Sequence, residues 1–205
     1  MNIFDSLVER YDNWFYRHKK AYMNEISLYR SFTEGLKNGI EIGVGTGMFA
    51  SKVGTEYGID PSFGMLLKAR ARGINVIQGK GENLPFLDES FKYASLIVTI
   101  CFVENPLIVL KEAWRILNKG GKLFTGIIDK NSKWGKYYET IKNESPFYRF
   151  AKFYSVDEII KMLKESNFKI EKIGQTLFSD YGNEVIEDWK YGYGEGSFVL
   201  IESYK

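Results

Sequence analysis

Apolar residues recur along the chain with two different spacings, which separate helical from extended segments. From Ile3 to about Thr33 the apolar and aromatic positions follow helical spacing, which predicts a helix. After Asn38 the apolar runs become short and end in glycine, aspartate or proline, as strands commonly do. The run Ala94–Ile100 hardly alternates, which is typical of a strand covered on both faces. The remaining predicted strands are Gly39–Ile42, Gly58–Ile59, Asn75–Gln78 and Lys122–Ile128. A short helix is predicted to begin in Met48–Lys52, and two others are predicted at Phe63–Arg72 and Pro106–Asn118.

The order of these elements predicts an α/β fold. Strands and helices alternate as far as residue 128, which favours a parallel, doubly wound sheet with helices on both faces. After Asp129 the character changes, and Lys130–Phe153 is polar and aromatic without a clear strand. Ser155 and Glu158 have the spacing of a capping box, which predicts a helix over Val156–Ser166. The last two extended segments, Phe168–Phe178 and Gly196–Tyr204, can pair as an antiparallel end to the sheet.

Composition and charge narrow the possible partners and compartments. The 205 residues fit one domain, and a net charge of +2 without long runs of one sign does not favour nucleic acid as a partner. No apolar stretch approaches a membrane span, and no signal peptide is visible. Cys101 is the single cysteine, so an intrachain disulfide is excluded and the cytoplasm is the expected compartment. With one histidine, His18, we expect no metal site, and the oligomeric state stays open.

Aromatic residues make up 16% of the chain, which is a high fraction. They crowd the first helix and the segment Trp134–Tyr154. Two interpretations are open, and both can hold. The rings can pack as core and lid, or they can form a pocket for a planar or cationic ligand.

A glycine-rich loop, Glu41–Gly47, follows the first predicted strand. Alternate glycines let the backbone turn sharply and approach a ligand, and the next helix points its free N–H groups into the same space. Its third glycine comes two residues after the second, which departs from the G-x-G-x-x-G dinucleotide fingerprint. Asp60 ends the next strand, where an acid can accept hydrogen bonds from ribose hydroxyls. Its alternative role is to cap the Phe63–Arg72 helix, which Ser62 could also do.

These motifs occur in a characteristic order. The pattern E-x-G-x-G-x-G, the acid closing the second strand and the run Gly81–Phe86 resemble the class I S-adenosylmethionine-dependent methyltransferases. Within them the chain is most similar to the ubiquinone/menaquinone-biosynthesis-type branch, methyltransferase type 11. The resemblance covers about residues 38–128 and includes Asp88–Phe91 and Leu110–Leu117 before Gly120. The flanks, including Tyr11–Phe15 and Gly192–Gly196, are similar to a small subgroup of which some members carry the label histamine N-methyltransferase.

The resemblance implies a fold and a cofactor. The fold is a Rossmann-like, mostly parallel seven-stranded sheet with an antiparallel C-terminal strand and an N-terminal helical lid. The cofactor is S-adenosylmethionine. Residues 1–205 are then one domain, with a helical cap at 1–37, a cofactor-binding core at 38–128, and an acceptor-side insertion with antiparallel strands at 129–205.

The resemblance also implies which residues hold the methionine and ribose parts of the cofactor. Gly43, Gly45 and Gly47 would cradle the methionine part. Glu41 would anchor its ammonium group, through a water molecule. Asp60 would hold both ribose hydroxyls.

The adenine site is implied in the same way. Pro61 and Met65 would line one face of the adenine, and Gly81 and Glu82 would lie at its edge. The chain departs from the family at Lys80, where an acid or asparagine is common. Because lysine has no acceptor atom, Glu82 or the backbone would have to replace that contact.

No catalytic residue is implied by the resemblance, because methyl transfer depends mainly on alignment and desolvation of the acceptor. Ile100 and Cys101 would lie near the sulfonium. Tyr11 could bond the cofactor carboxylate or the acceptor, and His18 could act as a base near neutral pH. Asp129, just past a strand, could orient or deprotonate an acceptor amine. The structural alternatives are plain packing for Tyr11 and His18 and a helix cap for Asp129.

Four aromatic residues are candidates for the acceptor pocket: Trp14, Trp134, Tyr137 and Tyr138. One helix and a short aromatic insertion suit a small-molecule acceptor, with the methylated atom undetermined. The alternatives are a non-catalytic S-adenosylmethionine-binding regulator and a nicotinamide-dependent oxidoreductase on a Rossmann fold. Methylation of a macromolecule is less expected, since no added binding module is visible.

Overall fold

The computed structural model describes residues 3–205, which form one mixed sheet flanked by helices. The central strands are almost wholly buried, because helices cover both of their faces. The strands are β1 (Gly39–Ile42), β2 (Tyr57–Asp60), β3 (Asn75–Gln78), β4 (Phe91–Ile97), β5 (Leu117–Ile128), β6 (Lys169–Thr176), β7 (Lys190–Tyr191) and β8 (Phe198–Tyr204).

Side-chain caps mark where several of the helices begin. Ser62, Asn105, Ser132 and Ser155 each accept a hydrogen bond from the backbone N–H three residues later. At Ser155 the predicted capping box with Glu158 is confirmed. The helices are α1 (Val8–Arg17), α2 (Lys19–Thr33), α3 (Ala50–Val53), α4 (Phe63–Ala71), α5 (Pro106–Ile116), α6 (Lys133–Ile141) and α7 (Val156–Glu165), with 3-10 turns at Ile3–Ser6 and Tyr148–Phe150.

The strand order is β3-β2-β1-β4-β5-β8-β6-β7. Strands β1 to β5 pair in parallel, and β8 lies antiparallel between β5 and β6. The predicted Rossmann-like sheet is therefore confirmed, including the antiparallel pairing of the last two extended segments. It has eight strands rather than seven, since the two-residue β7 adds to the edge. The strand order reverses between β1 and β4, which is where open α/β sheets bind their ligands.

The prediction of a single N-terminal helix from Ile3 to Thr33 is wrong, because the helix is interrupted at His18, between α1 and α2. His18 Nδ1 lies 2.7 Å from Glu184 Oε1, and its Nε2 lies 3.0 Å from the Tyr181 hydroxyl. The imidazole ring of His18 therefore connects the junction of α1 and α2 to the segment before β7. No glycine or proline marks this break, so the apolar spacing runs through it without interruption.

The two N-terminal helices have different surroundings. Leu28 and Tyr29 in α2 are fully buried, and a side chain at Gly174 in β6 would overlap Leu28 and Phe32. Helix α2 is therefore part of the core, packed on the sheet. Helix α1 lies instead over the carboxyl ends of the strands, so only this part of the predicted cap has the position of a lid.

Two predicted boundaries are shifted at the centre of the sheet. The strand predicted at Ala94–Ile100 is β4, which ends at Ile97, because Val98 takes a left-handed φ of +51° and turns the chain. This conformation is strained for a β-branched residue. The helix predicted to reach Asn118 ends at Ile116, and β5 begins at once, with an irregular register before Lys122.

A charged contact fixes α1 to the rest of the fold. Arg72, just after α4, donates from Nη2 to Asp12 Oδ2 at 2.7 Å and from Nη1 to the carbonyl of Thr46 at 2.6 Å. Asp12 is buried, while Glu9 on the same helix pairs with Lys68 at 2.6 Å in an exposed position. Arg72 thereby joins α1 to the loop that follows β1.

We expect Asp12→Asn to loosen α1 while leaving the sheet intact. The change removes the carboxylate charge and leaves a hydrogen bond from the Arg72 guanidinium to an uncharged amide, a loss of about 1.5 kcal/mol, or about tenfold in the opening equilibrium. Amide hydrogen exchange in α1 should therefore become about tenfold faster, with little change in the central strands. Glu9→Gln is the matched control and should change little, since its pair is exposed. Equal acceleration in both variants would contradict this role of Arg72.

Candidate active site

A cavity of about 880 Å³ opens at the carboxyl ends of β1, β2 and β4, where the strand order reverses. Its volume is near the upper end of the roughly 300–1,000 Å³ typical of ligand pockets. Its roof comes from α1, one wall from the loops after β2 and β3, and the opposite wall from α6 and the segment that follows. The lining from the strand ends and these loops is Ile42, Gly43, Gly45, Asp60, Pro61, Met65, Gly79–Glu82, Ile97–Thr99 and Phe102–Glu104.

The three glycines of the loop after β1 have different physical tasks, although all three have left-handed φ values. A side chain at Gly43 would overlap Thr99, and one at Gly47 would overlap Ile74, so both allow close packing within the protein. At Gly45 an added Cβ would lie 3.5 Å from the hydroxyl oxygen of Tyr11, on the cavity side. Gly43 and Gly45 line the cavity, whereas Gly47 does not.

Asp60 connects the two loops that form the floor of the cavity. Its Oδ2 accepts a hydrogen bond from the Gly45 N–H at 2.9 Å, and its Oδ1 accepts one from the Ser62 N–H at 2.8 Å. The cap of α4 is supplied by Ser62, so the alternative role of Asp60 as the cap does not hold. Each carboxylate oxygen has further acceptor capacity, and Asp60 lines the cavity. Burial raises the pKa of this carboxyl, which the two N–H groups partly offset.

Glu41 and Tyr11 lie on either side of the glycine loop. Glu41, in β1, is buried outside the cavity lining, and its Oε2 has no hydrogen-bond partner among residues 3–205. Burial raises the pKa of Glu41 well above its usual value. Tyr11 lines the cavity, and burial together with the nearby Glu41 and Asp60 raises its pKa, so the phenol remains neutral.

Pro61 directly follows β2 and Met65 is in α4, whereas Gly81 and Glu82 are in the loop after β3, and all four line the cavity. Glu82 Oε1 accepts a hydrogen bond from the Glu104 N–H at 2.9 Å. Lys80 forms an exposed pair with Glu104 at 2.7 Å. Lys80, at which the chain departs from the family pattern, therefore forms an ion pair at the rim of the cavity.

Ile100 and Cys101 do not line this cavity, because β4 ends three residues earlier than predicted. Residues 97–99 line it in their place. Ile100 and Cys101 line a separate small cavity of about 10 Å³. Burial raises the pKa of the Cys101 thiol to about 12, so this residue is an inert thiol in a packed position.

Three further predicted residues also lie outside the cavity lining: His18, Asp129 and Trp134. His18 is held by Glu184 and Tyr181. Asp129 is buried in the turn before α6, where its Oδ1 accepts from the Asn131 N–H at 3.1 Å. The alternative role of Asp129 was to cap a helix, and the N-cap of α6 is Ser132. Trp134 is fully buried and donates from Nε1 to the Ser179 carbonyl at 2.9 Å.

The far end of the cavity is aromatic. The predicted residues Trp14, Tyr137 and Tyr138 line it. Tyr148, which belongs to the predicted aromatic segment, and Tyr181, which the sequence did not indicate, line it with them. The ring centroids of Tyr138 and Tyr148 are 4.3 Å apart, and those of Tyr137 and Tyr181 are 4.4 Å apart. The rings therefore support one another as a preformed wall.

Glu25 also lines this end of the cavity, and sequence reasoning missed it. It is 2% exposed, its Oε2 has no hydrogen-bond partner among the described residues, and burial raises its pKa to about 8. A signal was present in the sequence. The neighbours of Glu25 at three and four residues on either side are all apolar or aromatic: Ala21, Tyr22, Leu28 and Tyr29.

The fold and the site define a class of protein before any relative is considered. A Rossmann-like sheet, a glycine loop without the dinucleotide spacing and a buried acid after β2 form a site for a nucleoside-containing cofactor. Within residues 3–205, no helix is both long and apolar enough to cross a membrane.

Comparison with known proteins identifies the family. Residues 40–125 match the family model for a methyltransferase domain. Over its full length the chain is 45% identical to an uncharacterized protein of Methanocaldococcus jannaschii, which is also covered in full. It is 28% identical over 141 residues to a demethylmenaquinone methyltransferase of a Geobacillus strain, covering 60% of this chain and 59% of that one.

A solved structure agrees with this result. An S-adenosylmethionine-dependent methyltransferase of Thermotoga maritima, described as a possible histamine N-methyltransferase, is similar with a TM-score of 0.94 and 43% identity. The match covers 98% of this chain and 97% of that one. The chain belongs to the class I S-adenosylmethionine-dependent methyltransferases. It is an enzyme of this family, and S-adenosylmethionine is its cofactor.

The raised pKa of Glu25 predicts how stability depends on pH. Because the folded state favours the protonated carboxyl, this group contributes its full stability below pH 4.5, its ordinary pKa, and loses it as pH rises to about 8. The loss is up to about 1.4 kcal/mol per pH unit in that window. Glu25→Gln keeps the shape without the titration. In urea unfolding at pH 5 to 9, the free energy of unfolding of the variant should rise relative to that of the wild type as pH rises. If the two free energies depend on pH in the same way, the burial of an ionisable Glu25 is contradicted.

Proposed function

We propose that this methyltransferase acts on a small-molecule acceptor. The observation that carries the proposal is the covered shape of the cavity. Helix α1 lies over one side, and α6 with residues 144–148 forms another, so an acceptor has to enter a lined space of about 880 Å³. This volume can hold a cofactor and a small second molecule. A folded macromolecule would need an open surface beside the cofactor.

We further propose that the cofactor occupies the end of the cavity nearest β1 and β2. Gly43 and Gly45 would hold its methionine part, with Gly47 permitting the close packing behind the loop. Asp60 would hold the ribose hydroxyls through its remaining acceptor capacity. The adenine would lie against Pro61 and Met65, with Gly81 and Glu82 at its edge.

The residues present suit such a cofactor on two further observations. The unpartnered Oε2 of Glu41 provides a buried anionic position behind the loop for an ammonium group, reached through water. The neutral Tyr11 hydroxyl, close to Gly45, can donate to a carboxylate. Residues 38–128 would then hold the cofactor, while 1–37 and 129–205 would cover it and form the acceptor side.

When bound, S-adenosylmethionine supplies an electrophilic methyl group on a sulfonium. The task of the protein is to align the acceptor and to exclude water. The aromatic wall formed by Trp14, Tyr137 and Tyr138 can contribute to both, because packing holds these rings in place and an acceptor that fills the space beside them displaces water. The description of the Thermotoga maritima relative names a small acceptor, which supports an acceptor of this size here.

The cofactor site is tested by replacing Asp60 with alanine. Loss of hydrogen bonds to a charged group costs about 1.5–3 kcal/mol, so affinity for S-adenosylhomocysteine should fall about 10- to 150-fold in calorimetry. The control is Asp88→Ala, since Asp88 is an exposed acid paired with Arg115 and lies outside the cavity lining. Undiminished affinity in a folded Asp60→Ala protein would remove Asp60 from the site. Tighter binding of a nicotinamide dinucleotide by the wild type would overturn the cofactor assignment itself.

The acceptor class is tested with S-adenosylmethionine labelled in its methyl group. The labelled cofactor and the enzyme are incubated separately with the small-molecule, RNA and protein fractions of one cell extract. We expect label in the small-molecule fraction, because the cavity is covered. Heat-inactivated enzyme is the control for background. Transfer of label chiefly to RNA or protein would contradict a small acceptor while leaving the cofactor site untouched.

A further inference from the structure

Glu25 is a buried carboxyl group in the aromatic end of the cavity that the proposed cofactor site does not use. It belongs to α2, which is fixed on the sheet, and Asn24 beside it donates to the Val185 carbonyl at 2.8 Å. The carboxyl is thus held in place by the core and not by a flexible loop. It faces the cavity as a buried side chain with an unpartnered oxygen.

Nothing in the protein neutralises this carboxyl. No ion pair to Glu25 within 4.0 Å occurs among residues 3–205, and burial is the sole cause behind its raised pKa. The titratable groups that interact with it are the phenols of Tyr22, Tyr138 and Tyr148, whose own pKa values are raised, so they are uncharged. The charged side chains at this end of the lining are Arg10, Arg17 and Glu144.

Keeping an unpaired carboxyl in such a place is costly. Buried charges are normally paired, and a buried polar atom without a partner loses the hydrogen bond it had with water. A glutamine or leucine would pack in α2 without that cost. The ligand that relieves the cost is one that brings a positive charge or N–H donors to the carboxyl.

The surrounding rings select for the same kind of ligand. The faces of tryptophan and tyrosine attract cations and also stack on planar groups. Trp14, Tyr138 and Tyr148 line the space that Glu25 faces, and Tyr138 and Tyr148 pack together at 4.3 Å. A cationic group joined to a planar or apolar body fits both the carboxyl and the rings.

We propose that Glu25 binds the ammonium group of a small amine, and that this amine is the methyl acceptor, with its apolar body against Trp14, Tyr138 and Tyr148. The Glu25 carboxylate would take one proton from the ammonium, because only the free amine has the lone pair that forms the new N–C bond. The C–S bond of the cofactor would break as that bond forms. The assignment deepens the proposed small-molecule function and rests on it. Glu25 selects the acceptor by charge, and the rings select it by shape. Cofactor binding does not depend on Glu25.

Binding of an amine has a measurable proton balance. At pH 7 a carboxyl with a pKa of about 8 is about nine-tenths protonated. An ammonium ligand favours the carboxylate, so binding releases close to one proton from Glu25 into the solvent. A neutral ligand in the same space releases none.

The experiment is titration calorimetry on the full chain saturated with S-adenosylhomocysteine, at pH 7, in two buffers of different ionisation enthalpy. The amine probes are 2-phenylethylamine, tryptamine and benzylamine, and 2-phenylethanol is the neutral match for the first. The proteins are the wild type, Glu25→Gln, and Glu139→Gln as the control, since Glu139 is an acid of α6 that lies outside the cavity lining. Affinity for S-adenosylhomocysteine is measured first for all three.

We expect at least one amine to bind the wild type about tenfold or more tighter than 2-phenylethanol does, with proton release. In Glu25→Gln this preference and the proton release should both vanish, while affinity for S-adenosylhomocysteine stays the same. Glu139→Gln should behave as the wild type does. Equal amine binding by Glu25→Gln and wild type, or no amine binding by the wild type, would overturn the proposal.

Two outcomes separate this proposal from the function on which it rests. If Glu25→Gln loses affinity for S-adenosylhomocysteine, Glu25 belongs to the cofactor site and the amine assignment is wrong, while the enzyme class stands. If methyl label passes to a small molecule but no amine depends on Glu25, the small-molecule function stands and this inference falls. Label in RNA or protein would remove the basis of both.

Discussion

Two backbone hydrogen bonds to the Asp60 carboxylate hold together the loops on which the rest of the site is built. Strands β1 and β2 pair in parallel with Ile42 beside Ile59, so both leave the sheet at the same level. Asp60 then accepts from the N–H groups of Gly45 and Ser62, which links the glycine loop to the start of α4. This link adds to the hydrogen bonds that the N–H groups of Gly43 and Val44 donate to the Ile59 carbonyl, which hold the start of the loop. The carboxylate is therefore structural and exposed to ligand at the same time.

The roof of the cavity depends on contacts made from outside it. Arg72 connects α1 to the glycine loop through Asp12 and the Thr46 carbonyl, so roof and floor share one guanidinium group. At its other end α1 meets His18, which is tied to Glu184 and Tyr181. Helix α1 buries only Asp12 and Phe15, whereas α2 buries most of its length, so we expect the roof to loosen more readily than α2 does. Helix α2 has no such freedom, since it is packed on the sheet.

The sequence predicted the functional residues that directly follow consecutive strands of the sheet. The loop at Gly43–Gly47 and Asp60 were readable because consecutive strands bring them together without any knowledge of side-chain packing. The end of β4 was not readable, since Val98 leaves the strand through a backbone conformation that its residue type disfavours. Tyr181 was missed for another reason: it reaches the cavity through a long-range contact with His18, which no spacing along the chain expresses.

Three carboxyl groups at or beside one cavity are buried with pKa values raised by their surroundings: Glu25, Glu41 and Asp60. A fold optimised for stability alone would not keep them, since each costs free energy when it ionises in a medium of low dielectric constant. Their cost is offset only when positive charge enters the same space. S-adenosylmethionine carries a sulfonium and an ammonium against a single carboxylate, and in the site that we propose its ammonium would bring positive charge to Glu41, while Asp60 would bond the ribose hydroxyls. For Glu25 we propose by the same reasoning that the acceptor supplies the cation.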